Sequence, residues 1–253
     1  MNFSHSVHDY QILMQKWRAL TKKSSLRLER FAEFNEGPIY LISSQPRFKN
    51  QSALYLSAGI HGDEPAPCWS LLQWAERNPD LFKHIPVIIF PCLNPWGLIN
   101  NSRQDGNGED LNRVWGHDKH WLITQINFRL KDLSFLLSLN LHEDFDANGI
   151  YLYEPYTGGS NDYWAGSILN AGQRFLDLDK RAKIDGRKAT NGVIRPKKNN
   201  PPPDGIPEAL YLVKNHASRN FTIETPSELG IRARISAHIA MITEAVRLAF
   251  KVD

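Results

Sequence analysis

The sequence predicts a single α/β domain in which a mixed, mostly parallel β-sheet is flanked by helices. Strand-like and helix-like segments alternate along the chain, as they do in folds built around a parallel sheet. The strand-like runs are continuously apolar, which is typical of strands covered on both faces. A length of 253 residues with 42% hydrophobic residues allows one sizeable core, so we expect one domain over residues 1–253.

Five helices are predicted from apolar residues that recur at helical spacing. The last has the clearest pattern, with Ile235, Ile239 and Ile242 on one face. Pro65 stands near the first turn of the second helix, where the missing N–H of proline costs nothing. The predicted helices cover residues 8–24, 65–77, 119–133, 162–176 and 231–250.

Six strands are predicted from short runs of apolar, β-branched or aromatic residues. One run is continuous and β-branched, as a strand buried between two layers of helices should be. The predicted strands are Phe31–Phe34, Pro38–Ser43, Ala53–Leu56, Val87–Phe90, Phe135–Leu141 and Phe221–Ile223.

Residues 185–208 are predicted to form a long surface loop, because the prolines at 201–203 fix φ and remove hydrogen-bond donors. The segment that leads into this loop is locally basic. Its charges form either a solvated loop face or the rim of a site that attracts acidic substrates. The basic residues are Lys180, Arg181, Lys183, Arg187, Lys188, Arg195, Lys197 and Lys198.

Composition excludes several classes of protein. A net charge of +3 on 29.0 kDa is modest, so no nucleic-acid partner is expected. No apolar run reaches the length of about 20 residues that a membrane-spanning helix needs. The N-terminus lacks a basic region followed by an apolar core. We therefore expect a cytoplasmic protein without a membrane partner, and the sequence leaves its oligomeric state open.

The segment from Ser57 to Pro65 carries a candidate metal-binding pair. His61 and Glu64 are three residues apart, where the strand-like run Ala53–Leu56 breaks near a glycine. An imidazole and a carboxylate at this spacing can reach one Zn²⁺ from the same side. The alternative is a chance pair, in which His61 is a hydrogen-bonded core residue.

His142 is the best candidate for a third ligand, because it follows the apolar run Phe135–Leu141. Two histidines and one glutamate leave a tetrahedral ion one open position, as catalytic rather than structural zinc sites do. A His-Glu-x-x-His zinc helix starting at His142 is rejected, because position 146 is an aspartate. Glu143 is therefore interpreted as a carboxylate that supports the site or faces the substrate.

Further motifs occur in the order that a zinc peptidase requires. Because of these motifs, the chain resembles the metallocarboxypeptidases of the carboxypeptidase A superfamily. The resemblance is strongest to compact bacterial members and to the aspartoacylase and succinylglutamate desuccinylase branch. It covers roughly residues 54–228. The motifs are Gly59–Glu64, Asn94–Gly97, Asp110–Arg113, Leu139–His142 and Ile223–Thr225, together with Arg103.

The resemblance implies one zinc ion per chain, bound by His61, Glu64 and His142. It implies that Glu224 is the general base, against the alternative of a surface glutamate at a strand end. Arg103 resembles the arginine that stabilises the oxyanion, and this correspondence rests only on its position in the chain.

Asn112 and Arg113 resemble the pair that holds the terminal carboxylate of the substrate. The alternative is a structural ion pair between Arg113 and Asp110. A substrate-binding tyrosine corresponds to Tyr211, or less closely to Tyr151 or Tyr153 on a half-buried strand. No residue is assigned to a side-chain specificity pocket.

The resulting prediction is zinc-dependent hydrolysis of an amide bond next to a free carboxylate, with short peptides as substrates of a carboxypeptidase. The first alternative is an N-acyl amino acid deacylase. That branch usually carries a C-terminal β-rich segment, whereas this chain continues from Glu224 mainly into a helix. The second alternative is a metal- or ligand-binding module without catalysis, which would not need Glu224.

Overall fold

A ten-stranded mixed sheet forms the centre of the protein in a computed structural model, which describes residues 6–34, 37–44, 53–116, 120–155, 163–196 and 204–252. The strand order is β1-β2-β4-β3-β5-β10-β6-β9-β8-β7. The strands are β1 Leu26–Phe34, β2 Gly37–Ser44, β3 Ala53–Ser57, β4 Val87–Phe90, β5 Phe135–Asp144, β6 Tyr151–Tyr153, β7 Lys183–Ile184, β8 Arg187–Thr190, β9 Val193–Ile194 and β10 Asn220–Pro226.

Seven α-helices flank this sheet in the described part of the chain. Short 3₁₀ turns lie at Leu81–Lys83 and Leu111–Arg113. The helices are α1 Tyr10–Thr21, α2 Pro65–Arg77, α3 Pro95–Asn100, α4 Trp121–Leu130, α5 Trp164–Gly172, α6 Glu208–Asn215 and α7 Ile231–Phe250.

The middle of the sheet is parallel and its sides are largely antiparallel. Strands β4, β3, β5 and β10 run parallel to one another. The β1–β2 hairpin joins β4 antiparallel on one side, and β6 joins β10 antiparallel on the other. The carboxyl ends of β3, β5 and β10 therefore meet at one edge, where open α/β sheets bind ligands.

Both faces of the central strands are covered. On β3, Leu54 and Leu56 pack into the larger core with α1, α2, α5 and α7, while Ala53 and Tyr55 pack into a second core with α4 and α6. Side chains alternate between faces along a strand, so the continuous apolar run of β3 serves two helical layers. These packing contacts confirm the predicted α/β fold.

The predicted surface loop at 185–208 is wrong for its first half, where β8 and β9 form. Two tight turns make these strands possible: Asp185-Gly186 joins β7 to β8, and Asn191-Gly192 joins β8 to β9. Their φ angles are 46° and 68°, and 49° and 70°. Asp-Gly and Asn-Gly are the pairs that best tolerate positive φ in two-residue hairpins. Residues 197–203 of the predicted loop lie outside the described residues.

The ends of several helices also differ from the prediction. Asp9 begins α1, because its side chain accepts a hydrogen bond from Ile12 N, as an N-cap does. Helices α3 and α6 were not predicted, since each spans fewer than three turns and offers a short apolar pattern. Among the described residues, no helix combines the length and apolar character that crossing a membrane requires.

Candidate active site

His61, Glu64 and His142 come together at the carboxyl edge of the sheet. His61 lies in the connection that follows β3, and Glu64 is the residue before Pro65, the first residue of α2. His142 lies on β5, two residues before the strand ends at Asp144. All three side chains are buried, with 5% or less of each residue exposed.

The donor atoms of these three residues converge. His61 Nδ1 is 2.6 Å from Glu64 Oε1, and His142 Nδ1 is 2.9 Å from Glu64 Oε2. One atom from each residue lies within 4.8 Å of the others, so the group could hold a metal ion. His61 Nε2 is 3.1 Å from Asp110 Oδ1. A proton on Nε2 satisfies this bond and leaves the Nδ1 lone pair for a metal, so the donors fit zinc.

The electrostatics of the three residues are tightly coupled. Burial alone would raise the pKa of Glu64, but the imidazoles of His61 and His142 outweigh it and lower this pKa. Burial opposes a charge on His61, yet the carboxylates of Glu64 and Asp110 raise its pKa. Burial keeps the pKa of His142 below its ordinary value. An ionised carboxylate between two imidazoles suits a divalent cation.

A second group of possible metal ligands flanks Asp110 in the chain and consists of Asp105, Glu109 and His120. Asp105 Oδ1 accepts hydrogen bonds from the main-chain N–H groups of Asn107 and Glu109, both at 2.9 Å. Asp105 Oδ2 lies 3.3 Å from His120 Nε2. These bonds give Asp105 the role of closing the turn that leads to Asp110.

Arg103 lies at the metal-ligand group. Its Nη1 is 3.6 Å from Glu64 Oε1, and its Nε donates to Asp110 Oδ2 at 3.1 Å. The side chain is 45% exposed, so it borders the space open to a substrate. The structure thus brings Arg103 to the place that its predicted role requires, while the role itself stays a prediction.

Glu224 lies on β10 directly beside His142 in the parallel register and beside Tyr151 in the antiparallel register. It is 8% exposed, and its carboxyl group makes no hydrogen bond to the described residues. Burial, followed by the charges of Glu64 and Asp144, raises its pKa well above the ordinary value. Glu224 is therefore a buried carboxyl group that faces the ligand edge and holds a proton more tightly than an exposed glutamate.

Asn112 and Arg113 lie in a 3₁₀ turn that begins at Asp110, whose Oδ1 accepts from Asn112 N at 2.8 Å. Arg113 Nε donates to Asp204 Oδ2 at 2.6 Å, and its Nη1 donates to the Asn112 carbonyl at 3.0 Å. The ion-pair partner of Arg113 is thus Asp204, while Asp110 bonds His61 and Arg103. These two bonds orient the guanidinium, and the Arg113 side chain is 28% exposed.

The candidate tyrosines lie in two places. The ring of Tyr211 on α6 packs against Trp115, with 5.6 Å between ring centroids. Tyr151 lies beside Glu224 and donates to Asp144 Oδ2 at 2.9 Å, and Tyr153 donates to Asp185 Oδ2 at 2.6 Å. The assignment of Tyr211 to substrate binding stays a prediction, and Tyr151 is the tyrosine that the register places next to Glu224.

Glu143 supports the site from behind. Its main-chain N–H donates to Glu64 Oε2 at 3.0 Å, and its own carboxylate accepts from Ala66 N at 2.9 Å and from Arg234 Nη1 at 2.6 Å. Burial raises its pKa to about 7 in spite of Arg234. Of the two interpretations of Glu143, the supporting one agrees with these contacts.

The basic stretch is partly neutralised within the protein. Arg181 bonds Asp179 with both Nε and Nη2, and Arg195 Nε donates to Glu154 at 2.8 Å. The charges of these two arginines are therefore already paired. Lys197 and Lys198 lie outside the described residues.

Three residues with structural roles at the site were missed in the sequence. Glu208, Asp204 and Arg234 contact the site only because the chain returns to it from α6 and α7, and nothing local indicates this. Asp110 was considered in the sequence as part of a motif and as a possible ion-pair partner of Arg113, but not as the partner of His61. Its position before a 3₁₀ turn, with Asn112 two residues later, is a typical capping signal.

Part of the sequence matches a known family of catalytic domains. The family model for the succinylglutamate desuccinylase/aspartoacylase catalytic domain matches residues 50–145, less than half of the chain. No curated protein sequence matches at a significant level.

Several solved structures share the fold. A candidate metallopeptidase from Shewanella amazonensis is 23% identical, with a TM-score of 0.86 over 96% of this chain and 94% of that one. A metallo-carboxypeptidase from Burkholderia cenocepacia is 13% identical, with a TM-score of 0.71 over 96% and 69% of the two chains. Bovine thrombin-activatable fibrinolysis inhibitor is 14% identical, with a TM-score of 0.66 over 98% and 97%. The chain therefore shares its fold with these solved structures, and residues 50–145 resemble the succinylglutamate desuccinylase/aspartoacylase catalytic domain, in agreement with the resemblance that the sequence motifs indicate.

Proposed function

We propose that this protein is a zinc-dependent hydrolase of amide bonds that lie next to a free carboxylate, and that it acts as a carboxypeptidase on short peptides. One observation carries the proposal. The buried carboxyl group of Glu224 lies beside His142 on the neighbouring strand, at the edge where His61 and Glu64 offer the other donor atoms.

His61, Glu64 and His142 would hold the zinc ion, and three protein ligands leave one coordination position open. When bound, zinc supplies Lewis-acid activation of water and of the scissile carbonyl. Asp110 accepts the Nε2 proton of His61 and thereby fixes the tautomer that a ligating histidine needs. Glu143 holds Glu64 in place through its main-chain N–H.

Glu224 would act as the general base and then as the general acid. It takes a proton from the attacking water and returns it to the leaving amine. Burial raises the pKa of Glu224, so its ionised carboxylate is a stronger base in the first step than the carboxylate of an exposed glutamate. Glu224 is 8% exposed and the neighbouring Tyr151 is 2% exposed, so bulk water has little access to this carboxyl group.

Arg103 would stabilise the oxyanion, since its guanidinium stands beside Glu64 with its side chain partly exposed. Asn112 and Arg113 would bind the carboxylate of the substrate. A planar guanidinium binds a carboxylate through two parallel N–H bonds, and the adjacent amide adds a further donor.

A second candidate is an N-acyl amino acid deacylase. The match of residues 50–145 to the succinylglutamate desuccinylase/aspartoacylase domain favours it. Such an enzyme would use the same metal ligands and the same base, and it would differ in cleaving a small acyl group instead of a peptide.

One panel of substrates tests these proposals. The purified protein is loaded with zinc and incubated with dipeptides, with their C-terminally amidated forms, and with N-acetyl and N-succinyl amino acids. Hydrolysis of the free-acid dipeptides only supports the carboxypeptidase, and hydrolysis of the acyl amino acids only supports the deacylase. Stoichiometric metal binding without any turnover would refute both and favour a non-catalytic module.

A further inference from the structure

The segment that begins α6 is joined to the turn that carries Asn112 and Arg113. Ile206 N donates to the Arg113 carbonyl at 2.9 Å, and Trp115 N donates to the Ile206 carbonyl at 3.1 Å. Glu208 N donates to the side-chain oxygen of Asn112 at 2.9 Å. The Asn112 amide therefore presents its NH₂ group away from this bond, and its orientation depends on where Glu208 sits.

Glu208 is fixed in turn by its own carboxyl group, which is buried with only 1% of the residue exposed. It accepts hydrogen bonds from Tyr55 OH at 2.6 Å and from Ser57 Oγ at 3.0 Å. The chain of bonds continues, because Asn140 donates to Ser57 Oγ at 2.9 Å and Asn220 donates to Asn140 Oδ1 at 2.5 Å. We call these five residues the Glu208 network.

The Glu208 network crosses the strands that carry the site. Asn140 and His142 are two residues apart on β5, and Asn220 and Glu224 are four residues apart on β10. Because side chains alternate along a strand, each pair lies on the same face of the sheet. Glu208 is therefore bonded directly to β3 and is connected, through Ser57, Asn140 and Asn220, to the strands that hold a predicted metal ligand and the predicted base.

The partners of Glu208 are neutral. Burial raises its pKa to about 7, against the hydrogen bonds from Tyr55, Ser57 and Asn140 and the charge of His61, which lower it. An apolar side chain would avoid the desolvation of this carboxyl group. The cost of burying the carboxyl group is offset by the fixed geometry that hydrogen bonds to both of its oxygens give.

We propose that Glu208 is a positioning residue for substrate recognition: it sets the position of Asn112, and with it Arg113, relative to the strands that carry the metal ligands and the base. The inference rests on the proposed function, in which Asn112 and Arg113 bind a carboxylate. A carboxylate held in register with the reacting centre needs this distance to be fixed, and a shift of about 1 Å can cost about 10²-fold in rate.

Two substitutions at Glu208 separate positioning from simple stability. Glu208→Gln keeps an acceptor for one hydroxyl and offers a donor to the other, which can rotate, so kinetics close to wild type are expected. Glu208→Ala removes the anchor. It should raise KM for a free-acid dipeptide by at least about 10-fold, within the range expected for misplaced binding groups. Hydrolysis of the amidated dipeptide and the metal content should change little.

Glu154→Ala is the matched control, because Glu154 is also buried but pairs with Arg195 at the far side of β6. It should lower the melting temperature without raising KM for the free-acid dipeptide. If Glu208→Ala does not fold, Tyr55→Phe removes one hydrogen bond of the network and should raise the same KM by a smaller factor. Equal losses for free-acid and amidated substrates, or an unchanged KM, would overturn the proposal.

A binding measurement keeps this test separate from the proposed function. N-acetyl-L-alanine and its methylamide are titrated into the zinc-loaded protein and followed by NMR. Carboxylate-dependent binding that is weakened in Glu208→Ala and restored in Glu208→Gln supports the positioning role even if no substrate turns over. Binding that is equal in all variants, or that does not depend on the carboxylate in the wild type, refutes it.

Discussion

Arg113→Ala tests the predicted substrate class most directly. Arg113 Nε donates to Asp204 and its Nη1 donates to the Asn112 carbonyl, and we expect the remaining N–H groups of the guanidinium to bind the substrate carboxylate. A hydrogen bond to a charged group contributes about 1.5–3 kcal/mol. Since about 1.4 kcal/mol corresponds to a factor of ten, kcat/KM for a free-acid dipeptide should fall about 10- to 150-fold.

The ion pair lost in Arg113→Ala adds little to this effect. The side chains of Arg113 and Asp204 are 28% and 58% exposed, and exposed pairs contribute about 0–1 kcal/mol. The melting temperature should therefore change only slightly. Arg113→Lys should recover part of the activity, because an ammonium keeps the charge and loses the two-pronged geometry.

The assay compares kcat/KM for a dipeptide and its C-terminal amide in the wild type and in both variants. The amide should be a poor substrate throughout and should be almost insensitive to Arg113. If both substrates lose activity by the same factor and the melting temperature falls by several degrees, Arg113 is a structural residue. The carboxylate-recognition argument would then be refuted.

Three further changes test the metal site, the base and the packing around them. His61→Ala should abolish metal binding, and elemental analysis that finds a full metal complement in this variant would contradict the ligand set. Glu224→Gln should keep the metal and lose at least about 10²-fold in kcat, because an amide cannot accept the proton; near-normal turnover would point to another base. In Gly62→Ala, the new Cβ would lie 1.8 Å from the carbonyl carbon of Gly97, so the melting temperature and the metal affinity should both drop. Gly166→Ala in α5 is the control, because it meets nothing within 4 Å and should stabilise the helix by about 0.5–1 kcal/mol.

The elements predicted best from the sequence are those whose apolar pattern is long or continuous. Helices α2 and α7 and strand β4 have the predicted bounds, because each packs against a large core and is apolar at regular positions along its whole length. The hairpins at β7–β9 were missed because their strands are only two to four residues long, too short to show an apolar pattern. The sequence indicates these hairpins only through their turns, Asp185-Gly186 and Asn191-Gly192, because Asp-Gly and Asn-Gly favour two-residue hairpins.

The residues of the candidate site also differ in how well the sequence predicts them. His61, Glu64 and His142 follow or end apolar runs, so a sequence can indicate that they gather at one edge of a parallel sheet. Glu208 and Arg234 approach from helices whose neighbours depend on the strand order, which sequence spacing does not specify. Both contacts are long-range, and Arg234 is 91 residues from Glu143.

The parallel pairing at the centre of the sheet has a consequence for how the protein folds. Ser57 and Asn140 are bonded across β3 and β5 although they are 83 residues apart, and Asn140 and Asn220 are bonded across β5 and β10 at a separation of 80 residues. Pairings between such distant segments form slowly, because the chain must lose the entropy of closing a long loop before the contact contributes any stabilising free energy.

The two halves of the predicted metal site are brought together only when β3 pairs with β5. The unfolded chain therefore offers no preformed site, and a metal that binds the native state alone adds to its stability. Interactions that are absent from the folding transition state act on the unfolding rate. Metal in the surroundings should therefore prolong the lifetime of the folded protein and have little influence on how fast the chain finds its fold.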